Sequence, residues 1–356
     1  MNKRSTCRDI ARAANVSPAT VSRVARDNPS VDKEIRDRVL LAASQLGVVL
    51  GKRKNDSHNL LVFLIANRDL LHSFHFRILV GAEKSCARRG WEIVFQSFRY
   101  TPATSTGDLQ LPQILTNRRI VRAAVLAGVN YPNLLHVLHE RAIPFAVLGN
   151  NVVGSWPVEE YDVVYSNDIQ GAREATLQLI LLGHKHIWFI GDVQLPWFAR
   201  RAQGYESTMR EAGLEPQISQ IHSDGRELGY LATRFILAEH KPVTAIIAGH
   251  DRVAQGVYEA VRELGMAIPG DISVVGFDAD DSSRFYPALA SVEQFPEELG
   301  RHLVDLTLKR IERPGDSPQQ ITLPTRVLLN ESVRPPLESS SSGKDKNGQP
   351  EMSLER

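Results

Sequence analysis

The chain has 356 residues, 42% of them hydrophobic, and a formal net charge of +1 at pH 7. This length favours two or three domains with large buried cores. The only two cysteines, Cys7 and Cys86, exclude a disulfide framework or a cysteine-based metal cluster. No apolar run reaches membrane-spanning length, and the first residues lack the apolar region of a signal peptide. We therefore expect a cytoplasmic protein without a membrane partner.

The charge is distributed unevenly along the chain. Residues 1–58 contain twelve Lys and Arg but only six Asp and Glu, which gives a net charge of +6. The rest of the chain has a net charge of −5. A basic head on an acidic body is typical of proteins that bind nucleic acid, because the phosphates attract the head.

Three short helical patterns follow one another in the head. Residues 7–15 read as a helix, and Ser17 then caps a second helix that begins with Pro18. Asp32 caps a third predicted helix, which Gly47 ends. Two short helices joined by a tight turn form a helix-turn-helix, whose second helix enters the major groove of DNA.

The sequence VSPATVSR at 16–23 is the most specific feature of the head. The segment from Thr6 to Gly47 that contains it resembles the headpiece of the lac repressor/gal repressor family of bacterial regulators. In the second helix Arg23 suits a guanine edge, and Ala19 suits a thymine methyl group. The candidate DNA-binding residues are Thr6, Ser17, Pro18, Ala19, Thr20, Ser22, Arg23, Lys52, Arg53 and Lys54.

The segment after the head departs from the family pattern. Residues 48–61 read VVLGKRKNDSHNLL, without the Tyr-x-Pro-Asn motif or the hinge helix whose Leu wedges into the minor groove. Leu50 is the only candidate for such a wedge, and Gly51 disfavours a helix. We therefore expect residues 48–59 to form a short basic linker that contacts phosphates rather than wedging a base step, so that the DNA is bent less than with a Leu wedge.

From Leu60 onward, short apolar runs alternate with helical patterns, which is typical of βαβ units in parallel sheets. The number of runs is too large for one small sheet, so we expect a core of two doubly wound parallel-sheet lobes. The predicted strands lie at 60–65, 91–98, 123–127, 144–149, 162–166, 186–191, 218–223, 244–249 and 272–277.

The body also resembles the ligand-binding core of the same family, which is similar to periplasmic sugar-binding proteins. The most specific stretch is IPGDISVVGFD at 268–278. The resemblance implies that the chain crosses between the lobes three times. The predicted domains are an all-α helix-turn-helix headpiece at 1–47, the linker at 48–59, a two-lobe α/β effector-binding core at 60–337 and a disordered tail at 338–356. The predicted lobes are about 60–161 with 293–324, and 162–292.

Ligands of open α/β sheets bind beyond the carboxyl ends of the strands. Arg201 and Asp278 lie near such ends, and the resemblance implies ligand roles for both. Arg and Asp side chains together suit the vicinal hydroxyls of a carbohydrate. Trp197 either stacks on a sugar face or packs in the core. The candidate effector-binding residues are Asn67, Phe74, Asn150, Trp197, Arg201, His250 and Asp278.

His250 is a second departure, because many family members have Asn at that position. An imidazole has a different reach from an amide, so the class of sugar stays open. Asp251, the next residue, is expected to cap the following helix rather than to touch the ligand.

These features indicate a transcriptional repressor that binds double-stranded operator DNA as a homodimer, under the control of a small ligand, expected to be a carbohydrate. The alternative is a sugar-binding protein without a gene-regulatory role, and the basic head argues against it. An enzyme is not indicated, because the nucleophile-elbow, phosphate-loop and zinc-protease motifs are absent from the sequence. We expect no catalytic residues, no cofactor and no metal.

Overall fold

The computed structural model describes residues 6–26, 28–48, 50, 59–68, 73–118, 120–154, 160–280 and 282–337. The chain divides into two compact units, Met1–Asn59 and Leu60–Arg356. Within the described ranges, no helix combines the length and the apolar composition that crossing a lipid bilayer requires.

The described part of the first unit consists of α1 (Cys7–Ala13), α2 (Pro18–Ala25) and α3 (Lys33–Gln45). Ile10, Val21 and Val39 contribute one fully buried side chain from each helix to a common core. Asn15 has a φ of 55° and turns the chain between α1 and α2. Asn tolerates this left-handed conformation better than most residues, so its position in the turn is chemically reasonable. Asp32 caps α3 as predicted, because its carboxylate accepts a hydrogen bond from the Glu34 N–H at 2.8 Å.

The second unit alternates strands and helices along most of its length. Its elements are β1 (Leu60–Ala66), α4 (Ser73–Arg88), β2 (Glu92–Phe98), α5 (Gln113–Thr116), β3 (Val121–Gly128), α6 (Pro132–Glu140), β4 (Phe145–Leu148), β5 (Asp162–Ser166), α7 (Asp168–Leu181), β6 (Ile187–Ile190), α8 (Pro196–Glu211), β7 (Gln217–Ile218), α9 (Gly225–Ala238), β8 (Ala245–Ala248), α10 (Asp251–Glu263), β9 (Ser273–Asp278), β10 (Ala290–Glu293), α11 (Pro296–Glu312), β11 (Gln320–Leu323) and β12 (Arg326–Leu328).

Two six-stranded sheets form two lobes. The sheet of the first lobe has the order β11-β5-β4-β3-β1-β2, with every neighbouring pair parallel. The sheet of the second lobe has the order β12-β10-β9-β8-β6-β7, in which only β12 runs antiparallel to its neighbour. The predicted fold class, a helix-turn-helix segment with two α/β lobes, is confirmed.

Strand β1 shows why the apolar runs are continuous. Leu60, Val62 and Leu64 belong to the core on one face of the sheet, and the residues between them belong to the core on the other face. Successive side chains of a strand point to opposite faces. A strand covered on both faces therefore needs apolar residues at every position.

The chain crosses between the lobes three times: after β5, after β10 and after β11. The predicted boundary before residue 162 is therefore wrong, because β5 pairs with β4 and β11 in the first lobe. An apolar run shows that a strand is buried but not which sheet it joins. The predicted strand at 218–223 is also wrong beyond Ile218, since β7 contains only two residues.

Helices α4 and α11 pack closely together on the first lobe through two glycines. A Cβ added to Gly81 would lie 2.0 Å from the carbonyl oxygen of Glu297. A Cβ added to Gly300 would lie 2.0 Å from the carbonyl oxygen of Ile78. Both obstacles are backbone atoms of the facing helix, so neither can move aside without shifting a helix.

We predict that Gly81→Ala lowers the free energy of unfolding by about 1–3 kcal/mol, because overpacking outweighs the gain in helix propensity. Urea denaturation followed by tryptophan fluorescence measures this in the second unit, since all four tryptophans lie beyond residue 60. The matched control is Gly107→Ala, whose added Cβ meets nothing closer than 3.9 Å. Equal stability of the two variants would contradict the prediction.

Candidate functional site

Helix α2 has a buried face and an exposed face. Ser17 begins it, and its Oγ accepts a hydrogen bond from the Thr20 N–H at 3.0 Å. While Val21 and Val24 are buried in the head, Pro18, Ala19 and Arg23 are exposed. The amino end of this helix therefore presents short side chains to the solvent, and Arg23 adds one cation from the last turn. A recognition helix makes its base-edge contacts in a major groove with its amino-terminal residues.

Thr6 occupies the N-cap position of α1, where its N–H and its Oγ both donate to the Asp9 carboxylate at 2.7 Å. Leu50 packs against the core of the head, partly buried. The remaining predicted DNA contacts, Lys52, Arg53 and Lys54, lie outside the described residues, as do most of the predicted linker and the predicted disordered tail.

A small cavity lies between the two lobes of the second unit. Its volume is about 20 Å³, which is room for about one water molecule. The lobes are therefore closed against each other in this structure. The cavity is lined by Arg68, Phe74, His75, Asn151, Trp197, Arg201, His250 and Asp278.

Arg201 of α8 is held in this cavity by two hydrogen bonds and a contact with an aromatic ring. Its Nη1 donates to the carbonyl oxygen of Gly249 at 2.5 Å, and its Nη2 donates to Asp278 Oδ1 at 3.3 Å. The guanidinium lies 4.0 Å from the ring centroid of Phe277. Its Nε is buried and has no hydrogen-bond partner among the described residues.

Asp278, the last residue of β9, faces Arg201. Its Oδ1 also accepts a hydrogen bond from Gln294. Burial raises the pKa of Asp278, and the neighbouring Arg201 charge opposes this only in part. The residue has a φ of 99°. A non-glycine residue in this region is strained, and such strain is concentrated at functional sites.

His250, not Asp251, caps α10. Its Nδ1 accepts a hydrogen bond from the Val253 N–H at 3.2 Å. We infer that Nε2 carries the proton and donates to Asp224 Oδ1, 2.9 Å away. The expectation that Asp251 caps the helix is therefore wrong. Its carboxylate instead accepts hydrogen bonds from the Ser291 hydroxyl and the Asp280 N–H, both at 2.7 Å.

Arg68 connects the two lobes. It follows β1 in the first lobe and donates to Asp224 Oδ2 of the second lobe at 2.6 Å. Its guanidinium lies 4.4 Å from the ring centroid of Trp197. Burial alone raises the pKa of Asp224, but the hydrogen bond from His250 and the charge and hydrogen bond of Arg68 hold that pKa well below its usual range. Asp224 is therefore an anion held by groups from both lobes.

Five of the seven predicted effector residues line the cavity, and two do not. The Asn67 amide donates to the Val129 carbonyl at 3.2 Å and accepts from the Tyr100 N–H at 3.0 Å. The amide of Asn150 likewise exchanges two hydrogen bonds with the backbone of Ser166. The effector assignments of Asn67 and Asn150 are corrected accordingly, because both amides hold backbone in place.

The candidate effector residues do not include four residues of the site, namely Arg68, His75, Asn151 and Asp224. Asn151 Nδ2 lies 3.1 Å from His75 Nε2, and both side chains are buried. Arg68 was detectable, since it directly follows Asn67 at a strand end. Nothing local in the sequence marks Asp224, which reaches the site only after α9 and α10 are packed together.

We predict that His75 weakens the fold in mild acid. Burial, followed by the Arg68 charge, lowers the pKa of His75 to about 3. The folded chain keeps this imidazole neutral, whereas the unfolded chain protonates it below pH 6.5. The free energy of unfolding of the wild type should therefore fall between pH 7.5 and 5.5 by about 1.4 kcal/mol more than that of His75→Gln.

Urea denaturation at the two pH values measures this difference. The matched control is His136→Gln, because His136 is exposed on α6. This control should follow the wild type. If His75→Gln and the wild type lost stability in parallel, His75 would not be the group responsible.

Comparison with known proteins adds to this geometry. Residues 6–48 match the family model for bacterial regulatory proteins of the lacI family. Residues 176–333 match a periplasmic binding protein-like domain. The chain is 30% identical to the HTH-type transcriptional repressor PurR of Escherichia fergusonii, over 92% of this chain and 96% of the relative. It is 29% identical to the ribose operon repressor of Haemophilus influenzae, over 92% and 98% of the two chains.

Solved structures give the same result. A transcriptional regulator CelR–cellobiose complex matches with a TM-score of 0.68 and 26% identity, covering 93% of this chain and all of the other. The lac repressor dimer bound to operator and the anti-inducer ONPF matches in fold, with a TM-score of 0.73, 20% identity and the same coverage. The protein therefore belongs to the lacI family of bacterial regulatory proteins.

Proposed function

We propose that the protein is a repressor that binds operator DNA as a homodimer in the cytoplasm and that a small polar ligand in the interlobe cavity controls its affinity for DNA. The exposed amino end of α2 supports the first part. Convergence of Arg201, His250 and Asp278 on one cavity supports the second part. Neither relative is named as an enzyme, and we propose no catalytic role.

For the DNA contacts, we propose that Arg23, Ala19 and Pro18 read base edges, while Ser17, Thr20 and Ser22 contact phosphates or bases beside their capping roles. Thr6 and the cations at Lys52, Arg53 and Lys54 are proposed as phosphate contacts. Operator affinity should then depend steeply on salt.

For the ligand, we propose a carbohydrate or another ring compound with several hydroxyl groups. Arg201 donates, Asp278 accepts, and the aromatic rings of Phe74 and Trp197 supply flat apolar surface. Such mixed sites suit molecules with polar edges and apolar faces. Two of the related proteins are named for, or solved with, a sugar, namely the ribose operon repressor and the CelR–cellobiose complex.

The DNA proposal is tested by selecting preferred sequences from a random duplex library. Arg23→Ala should weaken binding to the preferred sequence by about 1–3 kcal/mol and relax preference at one base pair in each half-site. The control is Arg38→Ala, which removes the same charge from an exposed position of α3. It should leave the selected sequence unchanged. Equal wild-type affinity for all duplexes would disprove sequence-specific binding.

The ligand proposal is tested by a thermal-shift screen of sugars, sugar phosphates and nucleosides. A compound at 100 times its Kd stabilises the wild type by about 2.7 kcal/mol. Arg201→Lys keeps the charge opposite Asp278 but loses the planar fork. A hundredfold weaker affinity would reduce the stabilisation to about 0.4 kcal/mol.

The matched control for this screen is Arg200→Lys. Arg200 is the adjacent residue and is similarly buried, but it pairs with Asp168 and does not line the cavity. Its substitution should leave the stabilisation by the same compound nearly intact. If Arg201→Lys responded like the wild type, Arg201 would not be part of the ligand site.

A further inference from the structure

Arg68 covers the Trp197 indole in the interlobe cavity. Its guanidinium lies over the indole at 4.4 Å from the ring centroid, and its Nη1 donates to Asp224 Oδ2 at 2.6 Å. Trp197 and Asp224 belong to the second lobe, whereas Arg68 belongs to the first. One side chain thus covers the flat surface of the cavity and joins the two lobes.

Asp224 is held in place independently of Arg68. Its Oδ1 accepts hydrogen bonds from the Gly225 N–H at 2.7 Å and from His250 Nε2 at 2.9 Å. His250 is fixed in turn by its contact with the Val253 N–H. The second lobe therefore already orients the carboxylate, and Arg68 adds a hydrogen bond to its other oxygen from the first lobe.

The cavity is too small for a ring compound while Arg68 is in this position. Its volume of about 20 Å³ is far below the several hundred Å³ of a typical ligand site. A ring that stacks on Trp197 must displace the guanidinium, and this breaks the contact between Arg68 and Asp224. Displacement leaves the partly buried Asp224 carboxylate without its donor from the first lobe, so that the ligand must supply a new donor there.

We propose that Arg68 is an interlobe latch that holds the place of the effector. The effector is a ring compound that stacks on Trp197 and presents a hydroxyl or amino donor to Asp224, so that its binding releases the latch. Arg68 and Asp224 are then the residues that select the ligand, and ligands without a donor at that edge are rejected. The proposal rests on the proposed effector role of the cavity, but its test needs neither DNA nor effector.

The test uses the full chain labelled with 5-fluorotryptophan, in which ¹⁹F NMR resolves the individual tryptophans. The shift of each signal between H₂O and D₂O reports the solvent exposure of that indole. In the wild type, the Trp197 signal should shift little between H₂O and D₂O, since this side chain is 5% exposed. Arg68→Ala and Asp224→Asn should each move the Trp197 signal toward the value of an exposed indole.

Arg68→Ala could expose Trp197 simply by removing the side chain that lies over the indole. Asp224→Asn excludes this explanation, because it breaks the ion pair but leaves the Arg68 side chain present. If Trp197 stayed protected from solvent in this variant, the ion pair would not hold the lobes closed and the proposal would be wrong. The matched control is Arg122→Ala, since Arg122 lies 5.3 Å from the ring centroid of Trp91 within the first lobe. It should change the Trp91 signal and leave Trp197 unaffected.

Chemical rescue tests the place-holding role directly, with methylguanidine as the probe. Added to Arg68→Ala, it should return the solvent-induced shift of the Trp197 signal to the wild-type value, because it supplies the missing planar donor to Asp224. It should have no effect on the double variant Arg68→Ala/Asp224→Asn. Rescue of both variants, or of neither, would overturn the assignment of Asp224 as the acceptor. Either result would leave the proposed DNA binding and effector control standing.

Discussion

Pairing of buried arginines with buried carboxylates is the interaction on which the core depends. Arg200 forms two hydrogen bonds with Asp168, at 3.0 and 3.1 Å, and Arg201 pairs with Asp278 at 3.3 Å. An unpaired ion in such surroundings costs several kcal/mol. Separating the start of α8 from the start of α7 or from the end of β9 would leave such an ion unpaired, so these two pairs oppose that separation.

The same pairs lie where the chain passes between the lobes. Asp168 follows the first crossing, and Gln294, which donates to Asp278, lies within the second. Arg201 Nε also lies 3.9 Å from Asp168 Oδ2, so a ligand that changes the bonding of Arg201 or Asp278 acts on groups at two of the three connecting segments. No long pathway through the protein is needed to convert ligand binding into lobe movement, because differential contacts in two lobe arrangements are sufficient.

Sequence reasoning located the features that depend on local order. The turn at Asn15 and the cap at Ser17 are set by neighbouring residues, and the convergence of Arg201 and Asp278 follows from the rule that strand ends share one edge. It was wrong where the role of a residue depends on contacts with distant parts of the chain. The amide of Asn150 looks like a ligand donor until Ser166 is placed beside it.

Strand β5 shows the same limit at the level of topology. Its apolar run predicts a buried strand, but its membership of the first sheet is decided by pairing with β4 and with β11, more than 150 residues further along the chain. Asp224 is comparable, because it becomes part of the site only through His250 and Arg68. Contacts this distant leave no periodic pattern in the sequence.

The discontinuous first lobe has a consequence for biosynthesis. Leu299 and Leu303 of α11 belong to the core that covers β1, and β11 forms the edge of the same sheet. The ribosome therefore synthesises the elements from α7 to β10 of the second lobe before it delivers α11 and β11, which close the first lobe. Until then, the nascent chain exposes the apolar face that α11 later covers, and chaperones have their main opportunity to bind during that interval.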